Sequence, residues 1–166
     1  MKILLVCTAN VCRSVMAEAL FRHAASRTAH ARHDEFASAG VDALIGEYPD
    51  ACTIAVCREH GIDVATHAAR QLTAELIDTS DLVLCMAEDH KRLILSAYPR
   101  FKNKVFLLLE YGHAKAPRKL SIEDPTGRSL RRYAKCFKKI EEEVTRIYKL
   151  SLIPSEGTIP TMAVSL

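Results

Sequence analysis

The sequence predicts a single doubly wound α/β domain: a mostly four-stranded parallel sheet flanked by helices on both faces. Three observations carry this expectation. Short apolar runs recur at Lys2 to Cys7, Asp81 to Met86 and Lys104 to Leu109, as in strands buried on both faces. Segments of helical period lie between the strands, an alternation that builds parallel sheets. The 166 residues suffice for one such core but not two.

Each element follows from local signals. Lys2 to Cys7 is the first strand. Thr8 to Ser14 has no period, and Met16, Ala17, Ala19, Leu20 and Ala24 then give a helical spacing that ends in the His- and Arg-rich region 27–34. Glu35 to Ala39, closed by Gly40, reads as the second strand. Pro49-Asp50 opens a helix through Glu59, with Gly61 as its stop. Thr73 to Asp78 fits one or two helical turns. Asp81 to Met86 is the third strand, Glu88 to Ala97 a helix stopped before Pro99, and Lys104 to Leu109 the fourth strand. Two Pro, two Gly and no period mark Glu110 to Arg128 as a long loop, a kind of segment that in compact domains is often functional. Leu130 to Leu150 is a basic amphipathic helix. The expected domain is 1–152, followed by a flexible tail, 153–166.

Composition narrows the function classes. With 49% hydrophobic and 26% charged residues, six Gly and six Pro, the chain is neither fibrous nor disordered. A net charge of +3 suits anions but falls short of a nucleic-acid binder. No apolar run approaches the roughly 18 residues of a membrane span, and the apolar start is too short for a signal peptide. A cytoplasmic monomer is expected, with no nucleic-acid or membrane partner. The six Cys, spread over a full-sized core, read as reduced thiols. The seven His lack ligand spacing, and no Gly-rich nucleotide loop follows a strand, so no metal or cofactor is expected. The basic row Arg128, Arg131, Arg132, Lys135, Lys138 and Lys139 precedes Glu141-Glu142-Glu143 and reads as a solvated face.

The chemistry concentrates where the first strand meets the first helix. Cys7 is followed, after five residues, by Arg13-Ser14. The five intervening residues and Arg13 can curl so that the N–H groups of Thr8, Ala9, Asn10, Val11, Cys12 and Arg13 face one oxyanion. The helix adds its positive end, and Arg13 a planar fork for two phosphate oxygens. The same field favours a thiolate at Cys7, making it a nucleophile. Thr8 or Ser14 can hydrogen-bond it, and Asn10 can hold a left-handed turn. An Arg in a first helical turn runs against the dipole, which argues against Arg13 being an incidental surface charge.

Val6-Cys7-Thr8-Ala9-Asn10-Val11-Cys12-Arg13-Ser14 resembles the phosphate loop of the low-molecular-weight protein tyrosine phosphatases. The likeness continues in register through Met16-Ala17-Glu18, Ser38-Ala39-Gly40, Pro49-Asp50, Gly61-Ile62-Asp63, His67 to Gln71, Asp81 to Met86 and Ile122-Glu123-Asp124-Pro125, covering residues 1 to about 150. It implies that Cys7 attacks phosphorus to form a phosphocysteine, that Arg13 binds the phosphate, and that Asp124 is the acid and then the base. The residues alone leave Asp124 and Glu123 open, since Asp-Pro is also a turn former. The resemblance also implies that Asn10, Ser14, Ser38 and His67 brace the loop, that Cys12 can pair with Cys7 under oxidation, and that the partner is a phosphorylated protein, in resembling bacterial proteins often a tyrosine kinase.

Departures sharpen the expectations. The family's loop Gly is Ala9, which would cost about 1 kcal/mol if its φ had to be positive. The Pro after Ser is Val15. Thr126-Gly127 replaces an aromatic beyond Asp-Pro, and Leu44, Ile45 and Tyr48 stand near the opposite wall. Phosphotyrosine is the expected substrate class. The alternatives are a protein-arginine phosphatase, whose resembling members carry Thr where Val11 stands, a catalytically weakened phosphate-binding module, and an arsenate reductase. The last needs a cysteine relay; Cys85 lies near the right place, but position 92, where its partner would sit, is Arg92.

Overall fold

The computed structural model describes residues 1–28, 33–115 and 117–152, so the expected tail lies outside the described residues. Strand β1 (Lys2–Cys7) leads to α1 (Arg13–Ser26) and β2 (Glu35–Gly40). Helices α2 (Ala51–Glu59) and α3 (Ala74–Asp78) precede β3 (Leu82–Cys85). Helix α4 (Glu88–Ala97), β4 (Val105–Leu107) and the long α5 (Leu130–Leu152) are the remaining α-helices and strand among the described residues. All pairings are parallel, in the order β2-β1-β3-β4.

Alternation along β1 divides the core in two. Ile3 and Leu5 face a cluster built with Phe21 of α1, Val56 of α2 and Phe137 and Ile140 of α5. Leu4 and Val6 face Ile77 of α3, Ile94 of α4 and Val105 of β4. The side-chain period of two in a strand thus feeds both faces. Asp50 caps α2 by accepting from the Cys52 N–H at 2.8 Å, and Thr73 caps α3 by accepting from Leu76 at 3.2 Å.

Two elements differ from expectation. Strand β4 ends at Leu107, although Leu108 and Leu109 are buried. Its chain turns there, with the Glu110 and Tyr111 N–H groups both donating to the Leu107 carbonyl. Leu107 belongs to one core cluster and Leu108 and Leu109 to the other, so the apolar run wraps the sheet edge instead of extending the ladder. A short 3-10 turn at Pro99–Phe101, absent from the sequence reading, buries Phe101.

Because the chain leaves β1 for β2 on one side and returns for β3 on the other, a crevice opens beyond the carboxyl ends of β1 and β3. The segment from Cys7 to Arg13 and the start of α4 both lie at that edge.

Candidate active site

The loop after β1 has a fixed polarity. Every carbonyl from Cys7 to Cys12 accepts a hydrogen bond, from the N–H groups of Val41, Asp42 and Leu44, from His67 Nε2, and from the N–H groups of Asp50 and Met16, respectively, at 2.9–3.2 Å. Among the described residues, none of the N–H groups from Thr8 to Arg13 donates to a protein acceptor. With its carbonyls engaged by surrounding segments, the loop presents N–H groups as an anion nest. Helix α1 extends this field, since no side chain caps its N-terminus and its first turn holds no acid.

The turn depends on Asn10, which alone among the described non-glycine residues has positive φ, at 59°. Ala9 is therefore free of the strain considered for it. Asn10 is fully buried, and its Nδ2 donates to Ser14 Oγ at 3.0 Å and Ser38 Oγ at 2.9 Å. Its Oδ1 accepts from the Arg70 N–H at 2.9 Å. Ser14 Oγ lies 2.9 Å from the buried Cys7 Sγ, so Asn10 and Ser14 form a relay from the turn to the sulfur. Ser38 in turn donates to Glu18 Oε2 at 2.6 Å, and its carbonyl accepts from Arg70 Nε at 2.8 Å. The Asn10 carbonyl can only accept, which assigns the proton to His67 Nε2. Burial holds the His67 ring below its usual pKa. Glu18, Arg70 and Gly40 complete the brace. A Cβ on Gly40 would stand 2.4 Å from the Thr8 carbonyl oxygen.

Arg13 and Asp124 meet across this loop. Arg13 is 4% exposed, and its guanidinium donates to the Ile122 carbonyl at 3.1 Å and pairs with the Asp124 carboxylate. Partial burial pushes the Asp124 pKa up, but hydrogen bonding by Thr126 and the charge of Arg13 outweigh it and hold the group below its ordinary value. Thr126, which stands in place of an aromatic, donates its N–H to Asp124 Oδ1 at 3.0 Å, and its hydroxyl lies 3.8 Å from Cys12 Sγ. Glu123 instead pairs outward, with Arg132 at 3.6 Å. Cys12 is a buried free thiol whose pKa burial raises. On the opposite side Leu44, Ile45 and Tyr48 stand exposed.

A further residue escaped the sequence reading. His90, in the first turn of α4, is 4% exposed, with Nε2 2.9 Å from Thr8 Oγ1. Thr8 Oγ1 also accepts from Arg13 at 3.4 Å. Burial and the nearby Arg13 charge push the His90 pKa down to about 4. A signal existed: the residue follows the third strand at the ligand-binding edge of a doubly wound sheet.

The family model described as low molecular weight phosphotyrosine protein phosphatase matches residues 2–152. The chain belongs to this family. As a low molecular weight phosphatase it is 36% identical over 152 residues to the protein-arginine-phosphatase of Bacillus subtilis, covering 90% of this chain and 95% of that one. It is 33% identical over 141 residues to the low molecular weight protein-tyrosine-phosphatase Wzb of Escherichia coli, covering 84% and 87%. Its fold is similar to that of a C7S mutant of the YwlE arginine phosphatase with a phosphorylated active site serine, with a TM-score of 0.85 at 34% identity, covering 93% and 98%. Among the described residues of this phosphatase, no group of three or more His, Cys, Asp or Glu is placed to hold a metal ion, and no helix is long and apolar enough to cross a membrane. Cys85, considered for an arsenate relay, is a fully buried strand residue whose thiol pKa is pushed up to about 12.

Proposed function

We propose that this phosphatase hydrolyses phosphotyrosine in proteins without a metal, with Cys7 as nucleophile, Arg13 as phosphate clamp and Asp124 as acid and then base. One observation carries the reading: a buried Cys7 thiol lies at the base of a loop whose carbonyls are all engaged and whose N–H groups donate to no acceptor among the described residues.

In the first step the Cys7 sulfur attacks phosphorus. The S–P bond forms as the P–O bond to the tyrosyl oxygen breaks, and Asp124 gives its proton to that leaving oxygen. The N–H groups and the Arg13 fork stabilise the equatorial oxygens. In the second step the Asp124 carboxylate takes a proton from water. The water oxygen attacks phosphorus, the S–P bond breaks, and inorganic phosphate leaves with the thiolate restored. Ser14, 2.9 Å from Sγ, is placed to donate to that thiolate. By the same reading Cys12, a buried free thiol of the same loop, is the resolving thiol under oxidation.

Val11 favours tyrosine over arginine, since it offers no hydroxyl beside the second loop cysteine. The protein is read as a cytoplasmic monomer acting on phosphoproteins, tyrosine kinases among them. The test is hydrolysis of para-nitrophenyl phosphate with EDTA present, by the wild type and by Cys7→Ser, followed by phosphotyrosine and phosphoarginine peptides. Activity lost in Cys7→Ser and a preference for phosphotyrosine support the reading. An active Cys7→Ser overturns the mechanism, and a preference for phosphoarginine overturns the substrate class.

A further inference from the structure

A cavity of about 320 Å³ adjoins the proposed catalytic acid, and Asp124 forms part of its wall. Its floor is apolar, with Leu109 and Ile122 buried beneath it. Its rim is basic. Arg132, Lys135 and Lys139 project from α5 at spacings of three and four, one stripe along the helix, and Lys119 approaches from the loop before Asp124. Arg132 and Lys119 share Glu123, at 3.6 and 3.9 Å, and Lys139 pairs with Glu143 at 3.0 Å. Lys135 is exposed and makes no ion pair among the described residues. Four cations and two carboxylates thus line the groove; Asp124 pairs with Arg13, Glu123 is shared by two cations, and Lys139 is met from its own helix by Glu142 and Glu143, which leaves Lys135 as the lining cation without an ion pair among the described residues.

We infer that this groove is a substrate subsite for the acidic residues that flank the phosphorylated residue of a protein. The inference rests on the phosphatase reading and specifies which phosphoproteins the site selects. The geometry limits its reach. Arg132 to Lys139 spans about 10 Å of helix, the length of about three residues of extended peptide. The stripe therefore meets acidic side chains within a few positions of the phosphorylated residue, on one side only. Because the cations are solvated, the selection acts on encounter and affinity, is screened by salt, and leaves the chemistry at Cys7 unchanged.

The test uses phosphotyrosine peptides with three Glu or three Ala on the amino side, and a matching pair on the carboxyl side. A parallel phosphoarginine set covers the alternative substrate class. The expected result is a kcat/KM five- to twenty-fold higher for the Glu peptide of one pair. The gain should lie in KM and shrink at least threefold between 0.05 and 0.5 M salt. Lys135→Glu and the double change Lys119→Glu with Lys135→Glu should remove most of that preference, while hydrolysis of para-nitrophenyl phosphate stays within twofold of wild type. Lys135→Gln, which only removes charge, should give an intermediate value. Equal rates for Glu and Ala peptides on both sides, or a preference that survives the charge reversals, would overturn the subsite. Failure of the wild type on para-nitrophenyl phosphate would instead overturn the catalytic reading on which it rests.

Discussion

Asn10 is the position at which the structure makes its sharpest quantitative demand. Its left-handed φ of 59° costs Ala about 1–2 kcal/mol and Gly almost nothing. Its side chain makes three hydrogen bonds, to Ser14, Ser38 and the Arg70 N–H, each contributing about 1 kcal/mol net. Asn10→Gly keeps the turn and loses the bonds, so it should destabilise the fold by about 2–4 kcal/mol. Asn10→Ala loses the bonds and strains the turn. The more restricted unfolded chain of Ala offsets part of that strain, leaving it about 0.5–1 kcal/mol below Gly. Against a typical stability of about 5–15 kcal/mol, both changes are large. Urea unfolding at constant m-value measures the difference as a shift in midpoint. Activity on para-nitrophenyl phosphate should fall in both variants, because Asn10 connects the loop to Ser14 and through it to Cys7. An Ala variant as stable as the Gly variant would refute the left-handed turn. A loss below about 1 kcal/mol in both would refute the bracing network.

Three further predictions address the acid, the brace and the buried histidine. Asp124→Asn should lower kcat by about 10²–10⁴ for phenolic esters with poor leaving groups and far less for good ones; an equal loss across a leaving-group series would remove Asp124 as the acid. Gly40→Ala places a methyl 2.4 Å from the Thr8 carbonyl oxygen, so the loop must shift. A stability loss of about 1–3 kcal/mol by urea unfolding should accompany reduced kcat/KM, whereas unchanged values would show that the contact relaxes freely. His90 is held neutral in the fold down to about pH 4 but protonates near pH 6.5 when unfolded. Acidification between those values therefore protonates the unfolded chain preferentially, and stability falls. Between pH 7 and 5.5 the wild type should lose about 1 kcal/mol more than His90→Gln, with parallel losses arguing against a buried neutral ring.

The parts of this molecule legible in the sequence are those whose causes are local. The strand, loop and helix that run from Lys2 to Ser26 occupy consecutive residues, so apolar run, spacing and helix start could be read together. Asn10 was legible as a left-handed residue for the same reason. Of the partners that fix the loop, Ser38 and His67 came from the family resemblance alone, and the others were not legible. Glu18, Arg70 and His90 reach it from α1, from the segment after α2 and from α4, and only the tertiary fold sets those distances. Thr126 looked like the loss of a cleft wall, yet its N–H holds the Asp124 carboxylate, a backbone role that side-chain identity cannot announce. The apolar run through Leu109 looked like a longer strand because burial at a sheet edge and burial within a ladder require the same residue types.

The pairing of Arg13 with Asp124 links the proposed anion site to the proposed acid. In the free protein Arg13 helps to hold Asp124 ionised, the wrong state for protonating a leaving group. A phosphate dianion entering the nest competes for the same guanidinium. Its arrival withdraws a cation from Asp124 and brings negative charge close to it, and both effects raise the proton affinity of the carboxyl. After the leaving group departs, the phosphoryl group on Cys7 still engages Arg13, so in the proposed mechanism Asp124 keeps the raised proton affinity that suits a base taking a proton from water. Thr126 keeps the carboxylate in place throughout, since its N–H bond does not depend on Arg13. In the proposed mechanism one ion pair thus couples the charge on Asp124 to occupancy of the loop after β1, without a change of fold.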